Sequence, residues 1–312
     1  MGAHLLERFV RDGWEVVALA RAGGSVPRST RVSVVERDLS RPDALTGVLR
    51  GGDVVVHLAG RAHVMRERAS DPLEVFRAAN VAPTELLCET AARAGVARVV
   101  FVSSAKVFGE GRKKPYTIAD SLAPADPYAQ SKAEAERVVT QAGASGAFDW
   151  TILRPPFVYG PGGKGNFPRL VSLARFSSRV PLPLASVENR RSIVFVGNLA
   201  DLLLRVAEHP NASGRVLLPT DAEDVSTPEL LRAIASASGA RARLFHCPPV
   251  LLRHAARLVG RSAEMDRLTE SLRLDSRHLR ELLEWRPPFT LDRALAISVG
   301  TSAVPSTAGA HD

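Results

Sequence analysis

The sequence has few of the residues that mark disulfide-rich, metal-binding or membrane-spanning proteins. Its 312 residues include only two cysteines, Cys88 and Cys247, and neither lies in a C-x-x-C pair. The eight histidines show no H-x-x-x-H spacing. We therefore expect no disulfide framework and no metal site. No apolar run approaches the ~18 residues that a membrane span requires, and the amphipathic start at His4–Phe9 does not resemble a signal peptide. We expect a cytoplasmic protein.

Aromatic residues are also scarce, and they do not accompany the basic ones. The net charge is +8, but only five of the 41 basic residues are lysines and the arginines are scattered along the chain. The longest basic run, Arg112–Lys114, has no aromatic residue within it. We therefore predict no nucleic-acid partner and no membrane partner. A positive field would still attract a small anion such as a nucleotide diphosphate.

The segments that are present alternate between strand-like and helix-like patterns. Runs rich in Val, Ile and Leu predict strands at 15–20, 31–35, 53–58, 98–103 and 150–154. Such runs are typical of parallel strands that are covered on both faces. The alternation predicts an α/β fold with a doubly wound, Rossmann-like parallel sheet, in which ligands bind at the carboxyl ends of the strands.

The pattern also divides the chain. We predict a dinucleotide-binding domain over 1–160, to which 192–208 returns, and a smaller substrate-binding domain over 161–300. The last residues, 301–312, are small and polar, and we expect them to be disordered.

Tyr128 and Lys132 form a Y-x-x-x-K pair, and residues four apart share one face of a helix. A tyrosine titrates near ~10, but an ammonium ~4 Å away stabilises the phenolate by ~4 kcal/mol at a dielectric constant of ~20, or about three pKa units. Ser104 stands 24 residues earlier at a predicted strand end, where its hydroxyl faces the ligand crevice. Each motif alone also fits an ordinary surface helix or a polar strand end; the three together favour acid–base chemistry at a hydroxyl.

With the segments 57–60 (His-Leu-Ala-Gly), 38–39 (Asp-Leu) and 154–162 (Arg-Pro-Pro-Phe-Val-Tyr-Gly-Pro-Gly), these residues resemble the extended short-chain dehydrogenase/reductase family, also called NAD-dependent epimerase/dehydratase. The resemblance covers nearly the whole chain. It implies a Ser104, Tyr128 and Lys132 catalytic set and an NAD or NADP cofactor. The residues that it assigns to that cofactor are Gly2, Arg21, Asp38, Leu39, Leu58, Ala59, Gly60, Asn80, Lys132 and Pro155.

The second half resembles the substrate loops of the same family at 164–167 and 189–192. This implies a UDP-sugar substrate, held by Ser104, Lys106, Asn166 and Arg191, although the pair Arg190–Arg191 also fits a solvated edge strand. Within the family the motifs are similar to the group of C4 ketoreductases that contains UDP-N-acetylquinovosamine dehydrogenase, in surface-polysaccharide sugar biosynthesis. UDP-glucose 4-epimerases share the same core residues, so reduction and epimerisation at C4 both remain open. The resemblance also leaves a homodimer open.

Two features depart from the family pattern. The chain starts inside the glycine-rich loop, without its first strand and first two glycines, and Arg21 stands where an acidic residue would bind a ribose 2′-hydroxyl. NAD and NADP therefore both stay open. We expect that an upstream reading frame encodes the missing ~10 residues, so that the native mass exceeds 33.5 kDa by about one kilodalton. The alternative is a non-catalytic nucleotide-sugar or dinucleotide-binding protein, or a defective remnant.

Overall fold

The computed structural model describes residues 1–300 apart from 25, 28, 63–70, 164 and 259. The predicted disordered tail and Lys164 therefore lie outside the described residues. The eight strands are β1 (Val16–Ala20), β2 (Val32–Glu36), β3 (Val54–His57), β4 (Arg98–Val102), β5 (Asp149–Leu153), β6 (Phe157–Tyr159), β7 (Ile193–Phe195) and β8 (Arg215–Leu217). The helices are α1 (Gly2–Arg11), α2 (Pro72–Asn80), α3 (Ala82–Ala94), α4 (Pro127–Ala144), α5 (Asn166–Ser177), α6 (Val196–Glu208), α7 (Thr227–Ala237), α8 (Pro249–Leu258), α9 (Ser262–Thr269), α10 (Arg277–Leu283) and α11 (Leu291–Gly300).

Every strand pair is parallel, as the sequence predicted. The largest sheet has the order β3-β4-β5-β8, with Val56 opposite Val100 and Val100 opposite Thr151. All five residues of β4 are buried, because helices cover both faces of this central strand. A parallel sheet of this kind collects its functional side chains at one edge, where the strands end.

Strands β1 and β2 form a separate two-stranded sheet beside the larger one. Two hydrophobic clusters join the sheets, one containing Val16 and Val56 and the other Leu19 and Val55. Yet the Val54–Val56 side chains of β3 are only half-buried and Val17 of β1 is 54% exposed. Within the described residues, β1 and β3 each keep one edge without a paired strand.

The helical segment after residue 71 differs in one detail from its prediction. The pattern indicated one helix that continues past Pro83, but the structure has two, α2 and α3, which meet at Val81. Pro83 lies in the first turn of α3, where its missing N–H costs nothing. Asp71 begins α2 by accepting hydrogen bonds from the backbone N–H groups of Leu73 and Glu74.

The second half packs around a different cluster, formed by α5, α7, α11 and the β6-β7 pair. Ser226 and Glu229 form the capping box that starts α7, as the sequence indicated. Helix α6 instead packs against α1 and contributes Leu199, Leu202 and Leu203 to the cluster of the first half. Across the described part of the chain, no helix is both long and apolar enough to cross a membrane.

Candidate active site

The ends of β4 and β5 bring two predicted site residues to the same edge of the sheet. Backbone hydrogen bonds run from the Ser103 N–H to the Leu153 carbonyl (2.7 Å) and from the Ala105 N–H to the Pro155 carbonyl (2.9 Å). Ser104 lies between these two bonds and is half-buried. Ser104 and Pro155, separate in sequence, therefore lie side by side at the strand ends.

Asp126 positions the first turn of α4. Its side chain accepts a hydrogen bond from the Ala129 N–H at 2.7 Å, and Pro127 opens the helix. A proline at this position is pre-organised for a helix start. Tyr128 thus lies in the first turn, with Lys132 one turn later on the same face.

The Tyr128 ring is half-buried and meets the edge of the Phe76 ring at 6.0 Å. The Ser104 hydroxyl lies close enough to Tyr128 to influence its pKa. Burial raises the pKa of Tyr128, Ser104 opposes that rise, and the charge of Asp126 adds to it. The sequence led us to expect that Lys132 lowers the pKa of Tyr128 to near neutrality. In this structure the pKa of Tyr128 is raised instead.

Lys132 explains the difference. The side chain is buried, with 5% of its surface exposed, and Nζ lies 4.0 Å from the centre of the Phe101 ring. Burial lowers the pKa of Lys132 to about 7, although the nearby Glu136 carboxylate partly opposes this. Burial disfavours the charged form of this lysine, and a neighbouring phenolate is stabilised by that charged form alone.

The lowered pKa of Lys132 predicts a pH dependence of stability. The unfolded chain binds a proton at this site up to its ordinary value of 10.5, whereas the folded chain releases that proton near pH 7. The unfolded state therefore binds more protons between these values, and the free energy of unfolding rises with pH across this window. We expect this rise, by at most about 5 kcal/mol, to disappear in Lys132→Met.

Denaturant midpoints of both proteins from pH 6 to pH 10 test this. The quantity to compare is the difference between the two curves, because other groups titrate in the same range. A constant difference would contradict the lowered pKa.

Asn80 ties the end of β3 to the helix that carries Lys132. Its buried Oδ1 accepts a hydrogen bond from the Arg61 N–H at 2.6 Å, and its Nδ2 donates to the Ser131 hydroxyl oxygen at 2.8 Å. A Cβ on Gly60 would lie 3.0 Å from the Asn80 Oδ1, so this close approach favours glycine. The strand-end segment and α4 are thus held in one arrangement by a single amide.

His57 lies buried beneath this segment. Its Nε2 is 3.1 Å from the Thr84 hydroxyl oxygen, and that hydroxyl donates its only hydrogen to the Asn80 carbonyl at 2.7 Å. The imidazole therefore carries its proton on Nε2. Burial, assisted by the charge of Lys132, lowers the pKa of His57 to about 3, so the ring is neutral at physiological pH.

The predicted cofactor residues occupy the ends of the strands. Leu58, Ala59 and Gly60 follow β3, and half-buried Leu39 follows β2. Buried Ser103 has no hydrogen-bond partner for its Oγ among the described residues. An unsatisfied hydroxyl at the carboxyl edge of a parallel sheet fits a polar ligand such as a dinucleotide.

Arg21 and Asp38 are exposed after β1 and β2. A hydrogen bond from Ser40 lowers the pKa of Asp38, with smaller contributions from the charges of Arg21 and Arg41. Gly2 is the first residue of α1, and a helix N-terminus attracts anions. The described residues thus suit a dinucleotide at the strand ends.

On the substrate side, Lys106 and Arg191 approach the same carboxylate. Lys106 donates to Asp126 at 2.6 Å, and its Nζ is 4.0 Å from the Glu110 carboxylate. Arg191 is half-buried and donates to the Glu270 carbonyl at 3.0 Å. Burial lowers the pKa of Arg191, while the charges of Glu110 and Glu270 raise it.

Asn166 is the first residue of α5, where backbone N–H groups lack helical partners. Asn189, in the neighbouring loop, is buried and binds Thr227 and the Glu270 carbonyl, which fixes the segment that carries Arg191. These two loops supply the cationic and amide donors that an anion would need.

Sequence reasoning missed a buried ion pair beneath the site. The Arg154 guanidinium makes two-point contact with the Glu136 carboxylate, at 3.0 Å and 2.7 Å, with side chains only 8% and 5% exposed. The guanidinium also lies 4.8 Å from the centre of the Phe108 ring. Glu136 follows Lys132 by one helical turn. This spacing was the signal in the sequence that could have indicated a buried carboxylate on the same helix face.

Comparisons with known proteins show what this chain is similar to. A sequence model described as "NAD dependent epimerase/dehydratase family" matches residues 1–217. The chain is 40% identical over 246 residues to a UDP-glucose 4-epimerase of Vibrio cholerae, covering 78% of this chain and 74% of the relative. It is 30% identical to a UDP-glucose 4-epimerase of Mycolicibacterium smegmatis, covering 96% of this chain and 94% of the relative.

A solved structure shares the fold. It is DesIV, a dTDP-glucose 4,6-dehydratase from Streptomyces venezuelae with NAD and TYD bound, which superposes with a TM-score of 0.75 at 25% identity. The match covers 96% of this chain and 92% of that one. The predicted α/β architecture is therefore confirmed.

Proposed function

The chain belongs to the NAD-dependent epimerase/dehydratase family, and from this premise we propose that it acts at C4 of a UDP-hexose, as a 4-epimerase or a 4-ketoreductase. The observation that supports the proposal is that Ser104 follows β4 while Tyr128 and Lys132 lie one turn apart on α4, with the Lys132 Nζ 4.0 Å from the centre of the Phe101 ring of β4. The 40% identity to a UDP-glucose 4-epimerase favours epimerisation. Its product would serve surface-polysaccharide biosynthesis.

Tyr128 is the group that moves the proton. Its phenolic oxygen, once deprotonated, accepts the proton of the C4 hydroxyl as the sugar is oxidised and returns it when the ketone is reduced. The nearby Ser104 hydroxyl lowers the pKa of Tyr128 and so favours the phenolate, although burial opposes it. Ser104 also suits a hydrogen bond to the C4 oxygen, which would hold this atom against the tyrosine.

Lys132 and Asn80 belong to the cofactor side of the proposed site. Bound NAD or NADP supplies the hydride acceptor and donor. Lys132 would hold the ribose next to the nicotinamide, and Asn80 keeps the strand-end segment that ends at Arg61 fixed to α4. A rigid wall of this kind orients the reacting atoms and lowers the entropic part of the barrier.

Arg191 and Asn166 are the proposed ligands of the substrate diphosphate. A guanidinium can bind two phosphate oxygens at once. Burial disfavours the charged form of Arg191 in the structure, and the negative charge of a bound diphosphate would favour that charged form. An amide at the start of α5 adds a donor beside a helix N-terminus.

Arg191→Ala is expected to weaken the binding of UDP and of UDP-glucose alike, by ~2 kcal/mol or about thirtyfold, because both ligands share the diphosphate. NAD binding should be unchanged. Titration calorimetry with plain UDP checks this, and Arg169→Ala, on the same half of the chain, is the matched control. Equal UDP affinity of the Arg191→Ala and wild-type proteins would place the diphosphate elsewhere.

The proposed function is tested by incubating the purified protein with UDP-glucose or UDP-galactose and following interconversion by NMR. Interconversion without added cofactor would establish an epimerase that retains its NAD. Oxidation of added NADH or NADPH by a UDP-4-keto sugar would establish the ketoreductase. Binding of UDP-sugar without turnover in either assay would favour the non-catalytic binding protein.

A further inference from the structure

The segment around α8 combines exposed apolar and cationic side chains. Residues 230–263 contain six arginines and no aspartate or glutamate. Within this segment Val250, Leu251 and Leu258 are 60%, 58% and 88% exposed. Such exposure is unusual for large aliphatic residues in a helix, and grouped apolar exposure marks an interaction surface.

The geometry of α8 puts these side chains on one side. At 100° per residue, Val250, Leu251 and Leu258 fall within about 100° of one another. Buried Leu252 and Ala256 lie on the opposite side, against the rest of the protein. The helix therefore has two apolar faces, one packed and one turned to solvent.

Exposed arginines flank the outward face. We call the surface formed by the following residues the α8 strip: Val250, Leu251, Arg253, Arg257, Leu258 and Arg261. Within the described chain none of its arginines forms an ion pair. Among the described residues, the charge of Arg253 acts on the Glu270 carboxyl group, whose pKa it lowers in opposition to burial.

We propose that the α8 strip binds the surface of an anionic lipid bilayer, with its aliphatic side chains inserted between the lipid headgroups and its arginines paired with lipid phosphates. An amphipathic helix with basic residues beside its apolar face lies in the plane of such a surface. The absence of acidic residues from 230–263 supplies the charge complementarity. The sequence alone had led us to expect no membrane partner.

Two other occupants fit less well. A second copy of the chain, related by a two-fold axis, would present the same arginines to each other, and like charges repel. A nucleic acid would pair with the arginines but would give Leu251 and Leu258 no apolar surroundings. Of these three occupants, the bilayer is the one that satisfies both the apolar and the cationic side chains of the strip.

The strip lies near the candidate substrate site. Helix α8 packs against α9, and the residue that follows α9, Glu270, accepts a hydrogen bond from Arg191 through its carbonyl. Attachment through α8 would therefore keep the substrate-binding half of the protein close to the lipid surface.

Co-sedimentation of the full chain with vesicles tests the proposal. We expect binding to vesicles of phosphatidylcholine with phosphatidylglycerol and little binding to phosphatidylcholine alone. The double variant Leu251→Ser/Leu258→Ser should bind anionic vesicles at least about tenfold more weakly, because it loses two aliphatic side chains. The matched control is Phe176→Ser, which alters a side chain of similar exposure (51%) on α5 and should bind as the wild type does.

A charge variant and a fluorescent probe complete the test. Arg257→Gln/Arg261→Gln should bind at least about fivefold more weakly, since each cation near the surface adds to attraction. Leu251→Trp should show a blue-shifted emission on anionic vesicles. Absence of binding by the wild-type protein would overturn the proposal. Unchanged binding of Leu251→Ser/Leu258→Ser to anionic vesicles would also overturn it. A third contrary result would be binding to duplex DNA that Leu251→Ser/Leu258→Ser retains and Arg257→Gln/Arg261→Gln loses.

Discussion

Tyr128→Phe is expected to lower turnover of the UDP-hexose at least ~100-fold, because in the proposed mechanism it removes the group that exchanges the C4 hydroxyl proton. The ring and its contact with Phe76 remain, so folding should not change. Affinity for NAD should also stay close to that of the wild type. Steady-state kinetics on both proteins, with NAD affinity measured separately, provide the comparison.

Tyr116→Phe is the matched control for this change. Tyr116 also loses only a phenolic hydroxyl, but its ring stacks on Phe108 at 5.0 Å, and its pKa carries no contribution from Ser104. Turnover of Tyr116→Phe should lie within about twofold of the wild type, far from the effect of losing a general acid–base group. Near wild-type turnover by Tyr128→Phe would show that another group exchanges the proton.

Glu136→Ala is expected to lower the free energy of unfolding by ~3–5 kcal/mol, because it leaves the buried Arg154 guanidinium without its countercharge. The two side chains are 5% and 8% exposed, so water cannot replace the lost partner. Urea denaturation measures the loss. The double variant Glu136→Leu/Arg154→Met should be more stable than Glu136→Ala, because neither charge is then left buried alone.

An exposed ion pair provides the control for Glu136→Ala. Arg93 and Glu89 form an i,i+4 pair on α3 with side chains about 70% exposed, and Glu89→Ala should cost no more than ~0.5 kcal/mol. Equal losses for Glu89→Ala and Glu136→Ala would mean that the Arg154–Glu136 pair is better solvated than the structure indicates.

The largest sheet and the helix that carries Tyr128 and Lys132 could be predicted because their signals are local. The valine-rich run at Arg98–Val102 reads as a covered strand, and the i,i+4 spacing of Tyr128 and Lys132 puts both on one face of α4. The same strand prediction places Ser104 just after the end of β4. The secondary structure around these residues is encoded in short stretches of chain, so it could be predicted without knowledge of tertiary contacts.

The sequence did not predict the electrostatics of the site. It led us to expect a tyrosine pKa lowered by lysine, whereas the fold buries Lys132 and lowers the pKa of the lysine instead. Burial depends on every element packed around a residue, here including Phe101 of β4. Spacing along one helix contains no information about that environment.

The sequence by itself determined the order of the strands, the parallel sheet and the placement of Tyr128 and Lys132 on one helix face, since local periodicity encodes them. The choice of Ser104, Tyr128 and Lys132 as the candidate catalytic set came from their motif spacing together with the family resemblance. Only the tertiary structure decided that Asn80 joins Ser131 across 51 residues, that Arg154 meets Glu136, and that α8 turns Leu258 to solvent. Each of these depends on which surfaces meet when the chain folds, and pairings over long sequence distances leave no periodic trace in the amino-acid sequence.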